Sequence, residues 1–261
     1  MNFRKTKKDI KLYYRYACRR VGFSGYQVHQ IRLPEKRLIY IPVPKNACSS
    51  IKEALHEIEF GRRFDKERDI NAPYINIHDY FKKQPKAFAG LKRLSSAKNF
   101  TRFAVVRDPV KRLVSCYRNR VVDLGDLNAD LKSLERYSLE LNPDINTFVL
   151  NLRLYRKANK SIEHHSRPQW SFFGGSLDYL DKIFMIEELD DLQDFLRSYR
   201  SDLSFLSRKS GGTSFSVSDL SEEALRHAVK FYRQDYRLLS KFYSADVYFD
   251  RAEKQQAGSA S

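Results

Sequence analysis

Residues 37–60, RLIYIPVPKNACSSIKEALHEIEF, read in three pieces. Arg37–Val43 is a short apolar, β-rich run and reads as a buried strand. The polar turn Pro44-Lys45-Asn46-Ala47-Cys48-Ser49-Ser50 follows it. Beyond the turn, Ile51, Leu55 and Ile58 recur at helical spacing. A helix start directly after a buried strand is a ready anion site, because its unsatisfied N–H groups and its dipole both face the turn. Lys45 adds a cation there, and Ser49 and Ser50 add hydroxyl donors. The turn is not the triphosphate loop GxxxxGK[ST]: it holds no glycine, and its lysine comes early. A capped helix after an edge strand would carry much the same residues, so this stretch alone does not separate the two.

A second unit of the same kind follows. Phe100–Val106 (FTRFAVV) reads as a strand, Arg107-Asp108-Pro109 as a turn, and Val110–Val121 as a helix. Pro109 suits a first helical turn, where its missing N–H is no loss, and Asp108 suits the N-cap. Arg107 at the strand's mouth can give a phosphate a bidentate, charge-assisted grip. Ser115 stands two turns into the helix, and Lys111, Arg112 and Arg118 read as cationic helix surface. A third apolar run, Lys182–Ile186, leads through Glu187-Glu188 into a helical Leu189–Tyr199, and Ser218–Phe242 reads as a closing helix with Ser218 or Ser221 as its N-cap. Strands alternating with helices predict an α/β fold, a three-layer sandwich around a central parallel sheet. Two anion-binding turns in one sheet point to a ligand with two separated phosphate groups.

With both turns in view, the sequence resembles the carbohydrate sulfotransferases related to the chondroitin, dermatan and HNK-1 enzymes and to the heparan 2-O enzymes. The likeness runs from about Leu38 to Tyr243. It rests on IPVPKNACSSIK, FAVVRDPVKRLVSCYRN, HHSRPQW, DKIFMIEELDDL and YRQDY. Ser166 departs from the pattern, since an aromatic often follows the histidine. The paired cysteines of many animal members are missing too, which suits a bacterial-type cytosolic enzyme. The resemblance implies a P-loop-NTPase-like sulfotransferase fold over residues 1–251. It implies 3′-phosphoadenosine 5′-phosphosulfate as sulfo donor, no metal, and a carbohydrate acceptor, an acidic one included. Lys45, Asn46, Ala47, Cys48, Ser49 and Ser50 would hold the 5′-phosphosulfate, with Lys45 on the leaving phosphate. Arg107 and Ser115 would hold the 3′-phosphate. The basic loop Ser207–Thr213, with Arg208 and Lys209, reads as an ordinary solvated connection or as a lid over the nucleotide. His164, His165, Arg167 and Gln169 fall in the segment that the family places beside the acceptor.

Sulfuryl transfer also calls for a group to take the acceptor's proton, and histidine is the natural candidate. His78, in the strand-like YINIHDYF, lies between the two phosphate motifs, roughly where the heparan 2-O enzymes carry their base. His165 is the rival assignment. His56 falls mid-helix, where packing explains it, and His29 and His227 sit in segments without other site signals. Metal ligation by His164 and His165 is disfavoured, since neighbours on a strand point oppositely and no carboxylate cluster accompanies them.

Composition sets the frame. The chain has 261 residues, 42% of them hydrophobic and 13% aromatic, which excludes a wholly disordered polymer. No apolar run approaches the roughly 20 residues of a membrane-spanning helix, and no apolar stretch follows the basic N-terminus as in a secretory signal. Forty-eight Lys and Arg against thirty-two Asp and Glu give a net charge of +16, which favours an anionic partner without choosing one. Three cysteines without a CxxC pair argue against a disulfide framework and suit a reducing, cytoplasmic setting. The basic, tyrosine-rich start, residues 1–30, reads as a solvated helix packed on the domain, or as an arm touching anionic membrane. Residues 252–261 read as a frayed tail. Two rival functions are a nucleotide-dependent kinase and a non-catalytic module for polyanions. The first lacks its phosphate loop and a magnesium carboxylate. The second leaves two ordered anion turns unexplained and shows no nucleic-acid-binding motif.

Overall fold

The computed structural model describes residues 28–65, 76–83, 99–203 and 214–249. The arm up to residue 27, Arg208 and Lys209 of the basic loop, and the tail 252–261 lie outside the described residues. In chain order the elements are β1 (Ile31–Leu33), β2 (Leu38–Ile41), α1 (Cys48–Phe60), α2 (Ile77–Lys83), β3 (Thr101–Val106) and α3 (Pro109–Cys116). Then come α4 (Leu131–Arg136), α5 (Ile145–Leu150), α6 (Leu152–Ala158), α7 (Lys160–Ser166), α8 (Gln169–Phe172), β4 (Lys182–Met185), α9 (Leu189–Arg197), α10 (Glu222–Phe231) and α11 (Arg233–Leu238). The fold is α/β. The described residues form two compact units, each discontinuous in sequence: those of 28–106 with 169–203, and those of 107–168 with 214–249.

The first unit holds the sheet, four strands among the described residues in the order β1-β2-β3-β4. β2, β3 and β4 run parallel, with Tyr40 opposite Phe103 and Val105 opposite Phe184. β2 is buried along its whole length, as an unbroken apolar run in a parallel sheet should be. The expected central parallel sheet is present in β2, β3 and β4, and β1 adds an antiparallel edge strand, paired with β2 through a tight turn closed by Arg37 N donating to Pro34 O. Ile51, Leu55 and Ile58 of α1, Ile77, Tyr80 and Phe81 of α2, and Leu192 and Leu196 of α9 pack with Leu38, Tyr40, Phe103 and Val105 of the sheet. Tyr40 stacks on Phe103 with ring centroids 5.0 Å apart. Gly61 ends α1 in a left-handed conformation (φ 73°), and its N–H donates to Glu57 O.

Two local expectations change here. His78 lies on a helix, not a strand, because Asn76 caps α2 by accepting from the N–H groups of His78 and Asp79. His56 is wholly buried, as its mid-helix place suggested, with Phe60, Phe64 and Tyr80 around its ring.

The second unit is helical. Asp108 caps α3, accepting from Val110 N and Lys111 N at 2.9 Å, and Pro109 fills the first helical position. The expected helix to Val121 is α-helical only to Cys116 and continues as a π-helical turn over Tyr117–Asp123. Val110, Leu113, Tyr117, Phe148, Leu152, Tyr155, Ile162, Ala228 and Tyr232 form its core. The closing helix is broken into a Val217–Asp219 turn, the Ser221-capped α10, and α11. The break falls at Tyr232, wholly buried, whose hydroxyl donates to Ser166 O at 2.7 Å. His164 and His165 lie on α7, capped by Asn159, so the strand geometry used against a metal site does not apply to them. Among the described residues no group of His, Cys, Asp and Glu could hold a metal ion. No described helix is long and apolar enough to cross a membrane.

Candidate active site

The turn after β2 is built by its own backbone. Lys45 (φ 70°) and Ala47 (φ 56°) both take the left-handed conformation, which costs non-glycine residues of order 1–3 kcal/mol each. Asn46 between them holds the shape. Its side chain is wholly buried, and its amide N–H₂ donates to Val105 O on β3 at 2.8 Å and to Gln169 Oε1 at 2.7 Å. Asn46→Ala strands both acceptors in the interior and is expected to cost about 2 kcal/mol, read as a lower urea midpoint at unchanged slope. Ala47 stands at the N-cap of α1 and offers no side-chain cap, so the first-turn N–H groups keep the donor capacity of a helix start. Lys45, Cys48 and Ser49 are half-buried and Ser50 is buried. Gln169, expected beside the acceptor, is wholly buried and serves as a strut of this turn.

The same unit brings His78 onto the start of α1. Ser49 Oγ lies 2.8 Å from its Nε2, and Lys52 Nζ lies 2.8 Å from its Nδ1. Ser49 and Lys52 are one helical turn apart, so both face α2 from the same side of α1. Lys52 is only 6% exposed. Lys52 is a site residue that composition and motif do not single out, although Ser49-x-x-Lys52 on a helix is a legible pattern.

In the second unit, Arg107 follows directly on β3 and is half-buried. The neighbouring Asp108 carboxylate is turned inward. Besides capping α3 it accepts from the Tyr236 hydroxyl at 3.2 Å and the Tyr248 hydroxyl at 2.6 Å. Burial, and then the charge of Asp108, push the Tyr236 phenol well above the ordinary tyrosine range. The YRQDY segment thus fixes the turn that carries Arg107. Ser115 lies half-buried on α3, and Lys111 is exposed. Arg118 pairs with Asp123 at 3.7 Å. Arg112 is not surface as its charge suggested: it is wholly buried and donates to His165 O at 3.0 Å and Arg167 O at 2.8 Å. It is a rivet for the HHSRP segment.

That segment is held from several sides. The Arg120 guanidinium donates to His165 Nε2 and also pairs with Asp126. A guanidinium has no lone pair to offer, so Nε2 is the acceptor and a neutral ring carries its proton on Nδ1. Arg167 grips Glu163 through two hydrogen bonds, 3.0 and 2.7 Å. Desolvation pushes the Glu163 carboxyl up, but the hydrogen bond and charge of Arg167, with Arg156 and His164, outweigh it and hold the group below its ordinary value. His164 is exposed, with its ring edge toward His165.

Each unit therefore carries its own set of donors and cations. Lys45, Ser49, Ser50 and the start of α1 form the first; Arg107 and Ser115, with Asp108 facing inward, form the second. Neither a curated protein nor a solved structure matches the chain. The model of a family described as the sulfotransferase family matches residues 28–243, a span that contains both turns, the HHSRP segment and YRQDY. The chain belongs to the sulfotransferase family, whose chemistry is the transfer of sulfo groups.

Proposed function

We propose that the protein moves a sulfo group from 3′-phosphoadenosine 5′-phosphosulfate to a carbohydrate hydroxyl. The observation that carries this reading is the donor character of the turn after β2. A lysine, two serines and an uncapped helix start gather where a strand ends, and the buried Asn46 braces them. In the second unit, the inward turn of Asp108 leaves Arg107 beside a carboxylate already satisfied by tyrosine hydroxyls and helix N–H groups. Such groups suit phosphate and sulfate oxygens. The net charge of +16 suits an acidic glycan as acceptor.

The donor would supply an activated sulfur whose bond to the 5′-phosphate oxygen breaks as the acceptor oxygen bonds to it, with the hydroxyl proton passing to water and 3′-phosphoadenosine 5′-phosphate leaving. The chain's residues bind and stabilise. Lys45 sets its ammonium on the leaving phosphate, where negative charge grows. Ser49, Ser50 and the α1 N–H groups hold the oxygens of the 5′-phosphosulfate, those on phosphorus included. Arg107 and Ser115 hold the 3′-phosphate. This is catalysis by positioning and electrostatics, and it calls for no metal.

Calorimetric titration with 3′-phosphoadenosine 5′-phosphate, beside ATP and a DNA duplex, tests the reading. Binding of the bisphosphate in clear preference to both is the expected result. Tighter binding of the duplex would move the protein to the polyanion-binding class, and preference for ATP would move it to the kinases.

A further inference from the structure

Lys52 is a nearly buried cation whose ammonium lies 2.8 Å from His78 Nδ1. A buried charge at hydrogen-bond distance from a ring nitrogen fixes more than packing. An ammonium has three N–H groups and no lone pair, so in this contact Lys52 donates and Nδ1 accepts. A neutral imidazole then carries its proton on the other nitrogen. His78 Nε2–H faces Ser49 Oγ at 2.8 Å and donates to it. With that lone pair engaged, Ser49 directs its own O–H elsewhere, and its place in the first turn of α1 puts it among donors.

The geometry points to a one-way hydrogen-bond chain, Lys52 to His78 to Ser49, in which Lys52 is a positioning residue that keeps His78 as the Nε2–H tautomer and makes Ser49 a donor to an anionic oxygen of the sulfo donor. It rests on the proposed sulfo transfer for the identity of that anion, but not for the tautomer. In this arrangement Nδ1 has given its lone pair to Lys52 and Nε2 holds a proton. The ring has no lone pair left for the acceptor's hydroxyl. His78 therefore acts as a relay of positive polarity, which differs from the general-base role that its position in the sequence suggested. Neighbouring dipoles aligned in one direction strengthen each other, so the charge of the buried Lys52 is felt at the Ser49 hydroxyl two hydrogen bonds away.

The test begins with the full chain, ¹⁵N-labelled on histidine and free of nucleotide. The resonances of His78 are assigned by their loss in His78→Gln. The expected spectrum has the proton on Nε2 in the wild type and a mixture of tautomers in Lys52→Met, a substitution close in shape. A wild-type proton on Nδ1 overturns the chain without need of any variant. The second measurement compares binding and turnover. Lys52→Met and His78→Ala should each weaken 3′-phosphoadenosine 5′-phosphate binding by about tenfold, the worth of one hydrogen bond. His78→Gln, whose amide N–H can still donate to Ser49, should recover most of that loss and most of the turnover. If His78 were the base, glutamine would be as inactive as alanine, with turnover down about 10²-fold and nucleotide binding intact; that result overturns the relay. A wild-type protein that ignores the bisphosphate removes the sulfo-donor reading, and the tautomer measurement then decides the role of Lys52 by itself.

Discussion

Lys45→Ala lowers turnover by about 10²–10³-fold at saturating donor, the loss typical when one preorganised electrostatic contact to a developing charge is removed. The argument starts from the backbone. Lys45 is held at φ 70° in a turn that Asn46 fixes from inside through buried hydrogen bonds. Alanine at that position meets the same backbone demand as lysine, and the turn should keep its shape. What goes is the ammonium. In the bound donor the bridging oxygen carries little charge; as the sulfur–oxygen bond breaks, charge collects on the leaving phosphate. A cation there is worth more in the transition state than in the ground state, so turnover falls more than affinity. Binding of 3′-phosphoadenosine 5′-phosphate should weaken only about tenfold, the worth of a single charged contact. Single-turnover rates and calorimetry on the same preparation separate the two. Unchanged turnover at saturation would reduce Lys45 to an anchor.

The parts legible in the sequence were the ones with local causes. β2 and β3 announce themselves as apolar runs, and the Asp108-Pro109 pair marks the start of α3 by capping chemistry alone. β1 has three residues, too few for any period to show, and its strand state comes from pairing with β2 across the turn at Pro34–Arg37. The apolar stretch around His78 reads as strand-like, with Tyr74, Ile75 and Ile77 β-prone. One hydrogen-bonding side chain, Asn76, reverses that preference over the seven residues of α2. Arg112 misleads for a different reason. Basic residues on a helix usually face water, yet this one is drawn inward by the carbonyls of His165 and Arg167, whose position depends on tertiary structure. The same holds for His165, whose Arg120 partner is 45 residues away, and for Lys52, whose His78 partner is 26 residues away. Residue type and spacing can nominate a histidine. Only the structure says which of its nitrogens is occupied.

Arg107→Ala should erase most of the preference for 3′-phosphoadenosine 5′-phosphate over adenosine 5′-phosphate, a loss of about 10–100-fold for a charge-assisted contact made through a planar fork. The two nucleotides differ only in the 3′-phosphate, so their ratio isolates the group assigned to Arg107 and cancels what the turn after β2 contributes. The local structure supports a clean reading. Asp108 answers to Val110 N, Lys111 N and the hydroxyls of Tyr236 and Tyr248, so removing the arginine leaves its neighbour's hydrogen bonds in place. The Arg107 side chain is half-buried, and a thermal melt of the variant reports any change in stability separately from the nucleotide ratio. Arg107→Lys is informative because it keeps the charge and loses the fork; it should restore only part of the preference, since an ammonium meets the phosphate as a point charge. Ser115→Ala, which removes one neutral hydroxyl, should cost less than either, about threefold to tenfold. A ratio that stays the same in Arg107→Ala, in protein whose melting temperature has not moved, would place the 3′-phosphate elsewhere. It would also leave Ser115 without a reason to stand two turns along α3 from that arginine.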